Sequence, residues 1–234
     1  MKKNVTRLAC LMLAATLALG LPMQSKAAEA KKDTEQTTEA TEETQPTHYE
    51  EVKIATAEDL AGLAKRCRLD SASRNLKVTL TDNISLADYP NLEIPTFGGI
   101  FDGGNHKITN VKIDAEGSAQ GLFRYLQKDG KIMNLEVVGK VLPTGSATKI
   151  GGVVGVNNGS IQNVTFSGTL EATDQVGGLV GYNAVTGRVI SCTSQGYIRA
   201  IKVVGGVVGK NEGVVTGCIN KASVNTQIPD DSIN

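Results

Sequence analysis

Tryptophan is absent from this sequence, and five tyrosines and four phenylalanines are its only aromatics in 234 residues. A core built on large rings is excluded, so small and β-branched side chains must fill it. Histidine occurs only as His48 and His106, and the His-Glu-x-x-His signature of zinc peptidases is nowhere in the chain. A surplus charge is also missing: 24 Lys+Arg balance 24 Asp+Glu. With no basic stripe along the sequence, nucleic acid is not an expected partner.

Long apolar runs are lacking except at the start. Met1 to Ala27 has a basic opening (Lys2, Lys3, Arg7), an apolar stretch from Leu8 to Leu21, and Ser25-Lys26-Ala27 as a small-x-small cleavage site. That is the plan of a secretory signal peptide, so the chain is expected to be exported, secreted or held at the cell surface. The membrane is touched only through this leader, whose apolar run is too short for a permanent span. Its removal takes away four cations, leaving 24 − 4 = 20 against 24 anions, a net charge near −4. Cysteine is scarce too. Without Cys10 the mature chain keeps Cys67, Cys192 and Cys218, an odd count that argues against a disulfide framework. All three read as small buried apolar side chains.

Residues 28–48 are rich in Thr and Glu and hold no aromatic or β-branched aliphatic residue. Such a stretch cannot bury enough apolar surface to offset its ordering entropy and is expected to be a disordered tether. Residues 49–93 read as an N-terminal cap. Thr56 is an N-cap followed by Glu58 and Asp59, and Leu60, Leu63, Ala64 and Cys67 form one apolar stripe. Alternation from Leu76 to Leu86 then predicts strand.

From 94 to 225 the chain repeats itself. Gly151-Gly152-Val153-Val154-Gly155-Val156-Asn157 returns from Gly177 to Asn183, with Gly178 and Gly181 in place. It returns again from Gly205 to Asn211, with Gly206 and Gly209, giving steps of 26 and 28 residues (177 − 151 and 205 − 177). Second and third phrases keep phase, as in Ser167-Gly168-Thr169-Leu170 and Gln195-Gly196-Tyr197-Ile198. Degenerate copies lie upstream around Gly121 and Gly98. Runs this short suit strands rather than helices, and three runs per period describe one coil of a solenoid. A propeller blade needs about 40–45 residues and is excluded by the period. The expected fold is all-β, a right-handed parallel β-helix of about five coils. Glycine would serve the corners through positive φ and close backbone approach. Asn157, Asn183 and Asn211 would stack as an amide ladder. Leu135, Val164, Cys192 and Cys218 would form one inward column. The polar ending 226–234 is short for a full cap, which suggests that the gene continues.

The phrases GGVVGVNNGSIQNV, GGLVGYNAVTGRVISC and GGVVGKNEGVVTGC resemble the GLUG motif of bacterial surface proteins, and Asp102 to Ile108 resembles the opening coil of that group. The likeness covers roughly Ile54 to Val224. It implies an adhesin-like surface protein, or a module beside the catalytic domain of an immunoglobulin A-specific metalloendopeptidase. The motif itself carries no catalytic residue.

No nucleophile–base pair, metal-ligand cluster or cofactor motif is apparent, so catalytic, metal and cofactor residues are all read as none. Asp114, Glu116, Glu136, Glu171, Asp174 and Glu212 are scattered in phase. Asp102 with Asn105 and His106 reads better as a turn than as a site. Tyr125, Tyr182 and Tyr197 are the candidate ligand-facing residues, with Tyr182 expected at a corner beside Gly181. The expected function is a non-catalytic binding or spacer module for a host, matrix or glycan ligand. The alternative is an accessory domain of a larger metallopeptidase or polysaccharide-active enzyme, or a cryptic glycan lyase.

Overall fold

The structure is a computed structural model that describes residues 48–226. Residues 1–47, where the signal peptide and nearly all of the tether are expected, and residues 227–234 lie outside the described residues.

Every strand pairing in the body is parallel and joins one coil to the next, giving the expected β-solenoid. Each full coil has four strand segments rather than three. The first face runs through Glu50–Ile54, Leu76–Leu80, Ile100–Asp102, residues 131–133 and 160–162, Arg188–Ile190 and Val214–Thr216. The second runs through Ile84–Ser85, Lys107–Ile113, residues 135–141 and 164–172, Thr193–Ala200 and Ile219–Thr226. These two faces form one bent sheet, since the strands Lys131–Val141 and Ser160–Ala172 span both. The bend falls on residues with positive φ: Asn134, Asn163, Ser191 and Gly217. Asn tolerates this region better than most residues, and Gly carries no Cβ penalty there. The third face holds Thr148–Gly151, Asp174–Gly177 and Val204–Gly205. The fourth holds Ile94–Phe97, Phe123–Leu126, Val154–Asn157, Val180–Asn183 and Val208–Asn211.

Six strands stack on the second face, so the solenoid has about six turns and rises roughly 24 Å at about 4.8 Å per strand. The extra turn comes from Leu76–Leu80 and Ile84–Ser85, which the sequence alternation merged into one strand of the cap. At the other end, the last strand reaches Thr226.

The cap is built as its sequence predicts. The Thr56 hydroxyl accepts from the Asp59 N–H at 3.1 Å, and the Asp59 carboxylate accepts from the N–H groups of Ala55 and Thr56. This closed capping box starts the helix Ala57–Arg66, which buries Leu60, Leu63 and Ala64, with Cys67 just beyond, against the first coil. The core behind it holds all four phenylalanines. Phe97, Phe101 and Phe123 meet edge-on with centroids 5.2–6.1 Å apart, and Phe166 lies deeper. Val, Ile and Leu fill most of the remaining inward positions, each worth about 1.5–3 kcal/mol when buried.

The glycine pairs have a different cause from the one the sequence suggested. Gly151, Gly152, Gly177, Gly178, Gly205 and Gly206 all lack positive φ. Space is what demands glycine there. A Cβ on Gly152 would enter the Phe166 ring, and one on Gly178 would meet the Ser194 hydroxyl and the Gly206 carbonyl. Gly155, Gly181 and Gly209 lie within strands and press on the backbones of Ala119, Lys149 and Gln175 in the preceding coil. Ala119, Lys149 and Gln175 each have positive φ, the last two within the third-face strands.

The amide ladder is present. Asn157 donates through Nδ2 to Asn183 Oδ1 at 2.7 Å, and Asn183 donates to Asn211 Oδ1 at 2.7 Å. Asn157 and Asn183 are fully buried. At the same register, earlier coils hold Phe97 and Leu126. A second ladder runs along the bend, from Asn163 to Asn134 to Asp102. Leu135, Val164 and Cys192 form the expected buried column, but Cys218 is only half-buried because no described coil covers the last one. Val215 and Ile219 are exposed there for the same reason.

Candidate functional site

The three tyrosines do not come together. Tyr125 and Tyr182 share one outward row of the fourth face, in the register Thr96, Tyr125, Val156, Tyr182, Lys210. Tyr182 sits inside the strand Val180–Asn183 rather than at a corner. Its ring is flanked by the ammonium groups of Lys149 and Lys210 at 5.2 and 5.4 Å, and its hydroxyl donates to Glu212 at 2.5 Å. Lys210 closes the cluster with an ion pair to Glu212 at 2.9 Å. The Tyr182 hydroxyl is shifted up by its bond to the Glu212 carboxylate, which is itself shifted down by that bond and by Lys210. Tyr182 is thus engaged within the fold, whereas Tyr125 is 43% exposed.

Tyr197 lies on the second face, 40% exposed, with the Arg199 guanidinium 4.8 Å from its ring centroid. Its outward row reads Lys112, Lys140, Thr169, Tyr197, Ser223. Two hollows flank this row. One of about 420 Å³ is lined by Val111, Lys112, Val138, Gly139, Lys140 and Leu142, among others. Another of about 300 Å³ includes Pro143, Glu171, Thr173 and Arg199. A register shift between Ile108 and Val111 locally breaks the pairing of Lys107–Ile113 at the first hollow.

The carboxylates are dispersed. Asp114 pairs with Lys112 at 2.9 Å, Glu136 with Lys107 at 2.8 Å, and Glu212 with Lys210. Asp102 accepts from the Gly104 N–H and from Asn134 Nδ2, while Gly104 and Asn105 both have positive φ. The Asp102–His106 segment is therefore a turn, stabilised by its own carboxylate. Among the described residues, no group of three or more His, Cys, Asp or Glu is gathered to hold a metal ion. No helix among them is long and apolar enough to cross a membrane.

One titratable group escaped the sequence reading. Glu93 is half-buried, and burial pushes its carboxyl up to about 7 despite a Gly121 N–H at 3.2 Å and the nearby Arg124 charge. The Arg124 guanidinium is itself committed to the carbonyls of Ala119 and Ser118. Nothing local in Leu92-Glu93-Ile94 signals this environment, because the next coil creates it.

No protein-family model matches the chain, and no solved structure does. The chain is similar to halomucin of Haloquadratum walsbyi, with 39% identity over 89 residues. That stretch covers 38% of this chain and 1% of halomucin, so the chain spans a very small part of the curated relative it matches.

Proposed function

We propose that this chain is a surface-located, non-catalytic β-solenoid module that binds an extracellular ligand through its outward rows. The observation that carries this reading is the second face. Its central strands pair in unbroken register, and their outward row places Lys140, Thr169 and Tyr197 side by side along the axis. Stacked coils favour many weak contacts along a rigid surface over one deep pocket.

Three further observations support the reading. The GLUG-like phrases resemble those of adhesin-like surface proteins. The leader at Met1 to Ala27 has the plan of an export signal. The halomucin match is to a protein whose name denotes a mucin. The dispersal of Asp114, Glu136 and Glu212 into separate ion pairs favours binding over acid–base chemistry, which needs groups within hydrogen-bond reach of one substrate.

The test is an array of glycoproteins, polysaccharides and peptides probed with the purified chain, with product analysis on the same panel. Saturable binding without turnover is expected. Cleavage of any substrate that is abolished by Asp102→Ala or Asp174→Ala would replace the module with an enzyme.

A further inference from the structure

We infer that the outer groove of the second face is a subsite for a carboxylate-bearing polysaccharide chain lying along the solenoid axis. This deepens the binding-module reading and rests on it. The groove begins where Lys112 and Lys140 are direct register partners on adjacent strands and line the same hollow of about 420 Å³. Like charges placed side by side across a strand pair repel. The one carboxylate that lines this hollow is already committed: Asp114 gives one oxygen to Lys112 and the other to Asn91 Nδ2, both at 2.9 Å. Among the described residues Lys140 has no ion-pair partner.

The same unsatisfied chemistry recurs farther along. Arg199 lines the second hollow beside its register partner Glu171, yet forms no ion pair with it. Its Nε is buried without a hydrogen-bond partner. Its guanidinium is held against the ring of Tyr197, a residue that remains 40% exposed. Lys112, Lys140, Thr169 and Tyr197 span three strand steps, roughly 14 Å at about 4.8 Å each. Cations therefore stand at both ends of a strip with a hydroxyl, a flat ring and the small apolar floor of Val138 and Gly139 between them.

A carboxylated sugar polymer fits this pattern. Its spaced single charges meet spaced cations, its hydroxyls meet Thr169 and Tyr197, and its C–H faces meet the floor and the ring. Two other polymers fit less well. A nucleic acid carries a denser charge than three cations interleaved with Asp114 and Glu171 can answer. An acidic peptide adding as a strand needs a free edge, and the middle of this face is paired on both sides.

Calorimetry on the full chain tests the assignment with oligogalacturonate as probe. Its methyl ester, a neutral glucose oligomer, polyglutamate and a single-stranded oligonucleotide are the competitors. Oligogalacturonate should bind, and the methyl ester should bind at least tenfold more weakly. Lys140→Ala and Arg199→Ala should each weaken binding at least fivefold, and Lys140→Arg should retain it. Lys77→Ala, on the first face, should match the parent in affinity and melting temperature. Equal affinity for the ester, indifference to Lys140→Ala, or stronger binding of polyglutamate or oligonucleotide would overturn the groove. Saturable binding of a neutral glycan or a protein that ignores Lys140→Ala would overturn the groove while leaving the surface-module reading standing. Turnover of any substrate would overturn both.

Discussion

Gly152 lies directly beneath the ring of Phe166, so that any Cβ at Gly152 would occupy space the ring already fills. The two positions face each other across the interior of one coil. The same pairing recurs as Gly178 with Ser194 and Gly206 with Asn220 in the next two coils, with the partner shrinking or turning polar. Glycine in this motif therefore answers to the residue across the coil. Gly152→Ala should cost about 1–3 kcal/mol from overpacking. Adding Phe166→Leu should recover part of that loss, a coupling that a double-mutant cycle in urea would measure. Strict additivity would show that the two side chains do not compete for space.

Gly178→Val and Gly206→Val should differ as well. At Gly178 the new side chain meets the Gly206 carbonyl, which is backbone and cannot move away. At Gly206 the three nearest atoms all belong to the Asn220 amide, an exposed side chain in the last coil. Gly178→Val should lower the melting temperature clearly more than Gly206→Val, and both more than Lys202→Ala on the exposed surface. A reversed order between the two glycines would contradict this account of the coil interior.

The amide ladder makes a graded prediction. Asn183 accepts from Asn157 and donates to both Asn211 and the Gly187 carbonyl, with no exposure. Asn183→Ala leaves the buried Asn157 Nδ2 with only the longer bond to the Arg188 carbonyl, at 3.4 Å, and should cost about 1–3 kcal/mol, the desolvation penalty of an unpaired buried N–H. Asn211→Ala removes the exposed last rung and should cost about 0.5–1.5 kcal/mol, a typical net hydrogen bond. Equal losses in chemical denaturation would mean that burial does not grade the ladder.

Glu93 should make stability depend on pH. Its carboxyl is raised from 4.5 to about 7 in the folded chain, chiefly by burial. Below 4.5 both states hold the proton and no penalty applies. Between 4.5 and about 7 the unfolded chain releases its proton while the folded chain keeps it, so stability falls as pH rises. Above the folded value the loss is complete, at most on the order of 3 kcal/mol. Glu93→Gln keeps an acceptor for Gly121 and should remove this component. The difference in unfolding free energy between parent and variant should therefore widen from about pH 5 to pH 8 and then level off. A constant difference would show that Glu93 is not shielded by the fold.

Cysteine reactivity should follow position in the stack. Burial pushes the thiols of Cys67 and Cys192 up to about 11, so reactive thiolate is scarce at neutral pH. Cys218 lies one coil beyond Cys192 and is half-buried. Native alkylation should label Cys218 first, and denaturation without reductant should then expose Cys67 and Cys192 as free thiols. Mass spectrometry that found Cys192 labelled before Cys218 would show that the last coil protects rather than exposes.

Much of this fold is legible in the sequence because a solenoid repeats its solution. The phrase from Gly151 to Asn157 recurs at Gly177 and Gly205 and determined short parallel strands and an asparagine ladder, while the second phrase, repeating in phase, determined an inward column through Val164 and Cys192. The capping box at Thr56 and Asp59 was equally local, since both partners lie within one helical turn. Only the tertiary structure decided which residues become neighbours across coils. Lys112, Lys140 and Arg199 are far apart in the chain, and no basic stripe exists until parallel stacking sets them along one face. The residue after the third-phrase glycine (Lys140, Thr169, Tyr197) held the one sequence signal for that row. The raised Glu93 carboxyl, the engaged Tyr182 ring and the Gly152–Phe166 fit had no such signal. Coil lengths vary, with ladder partners 26 and 28 residues apart, so sequence spacing cannot set cross-coil contacts. The parallel register does so, through backbone hydrogen bonds and the packing of the interior they enclose.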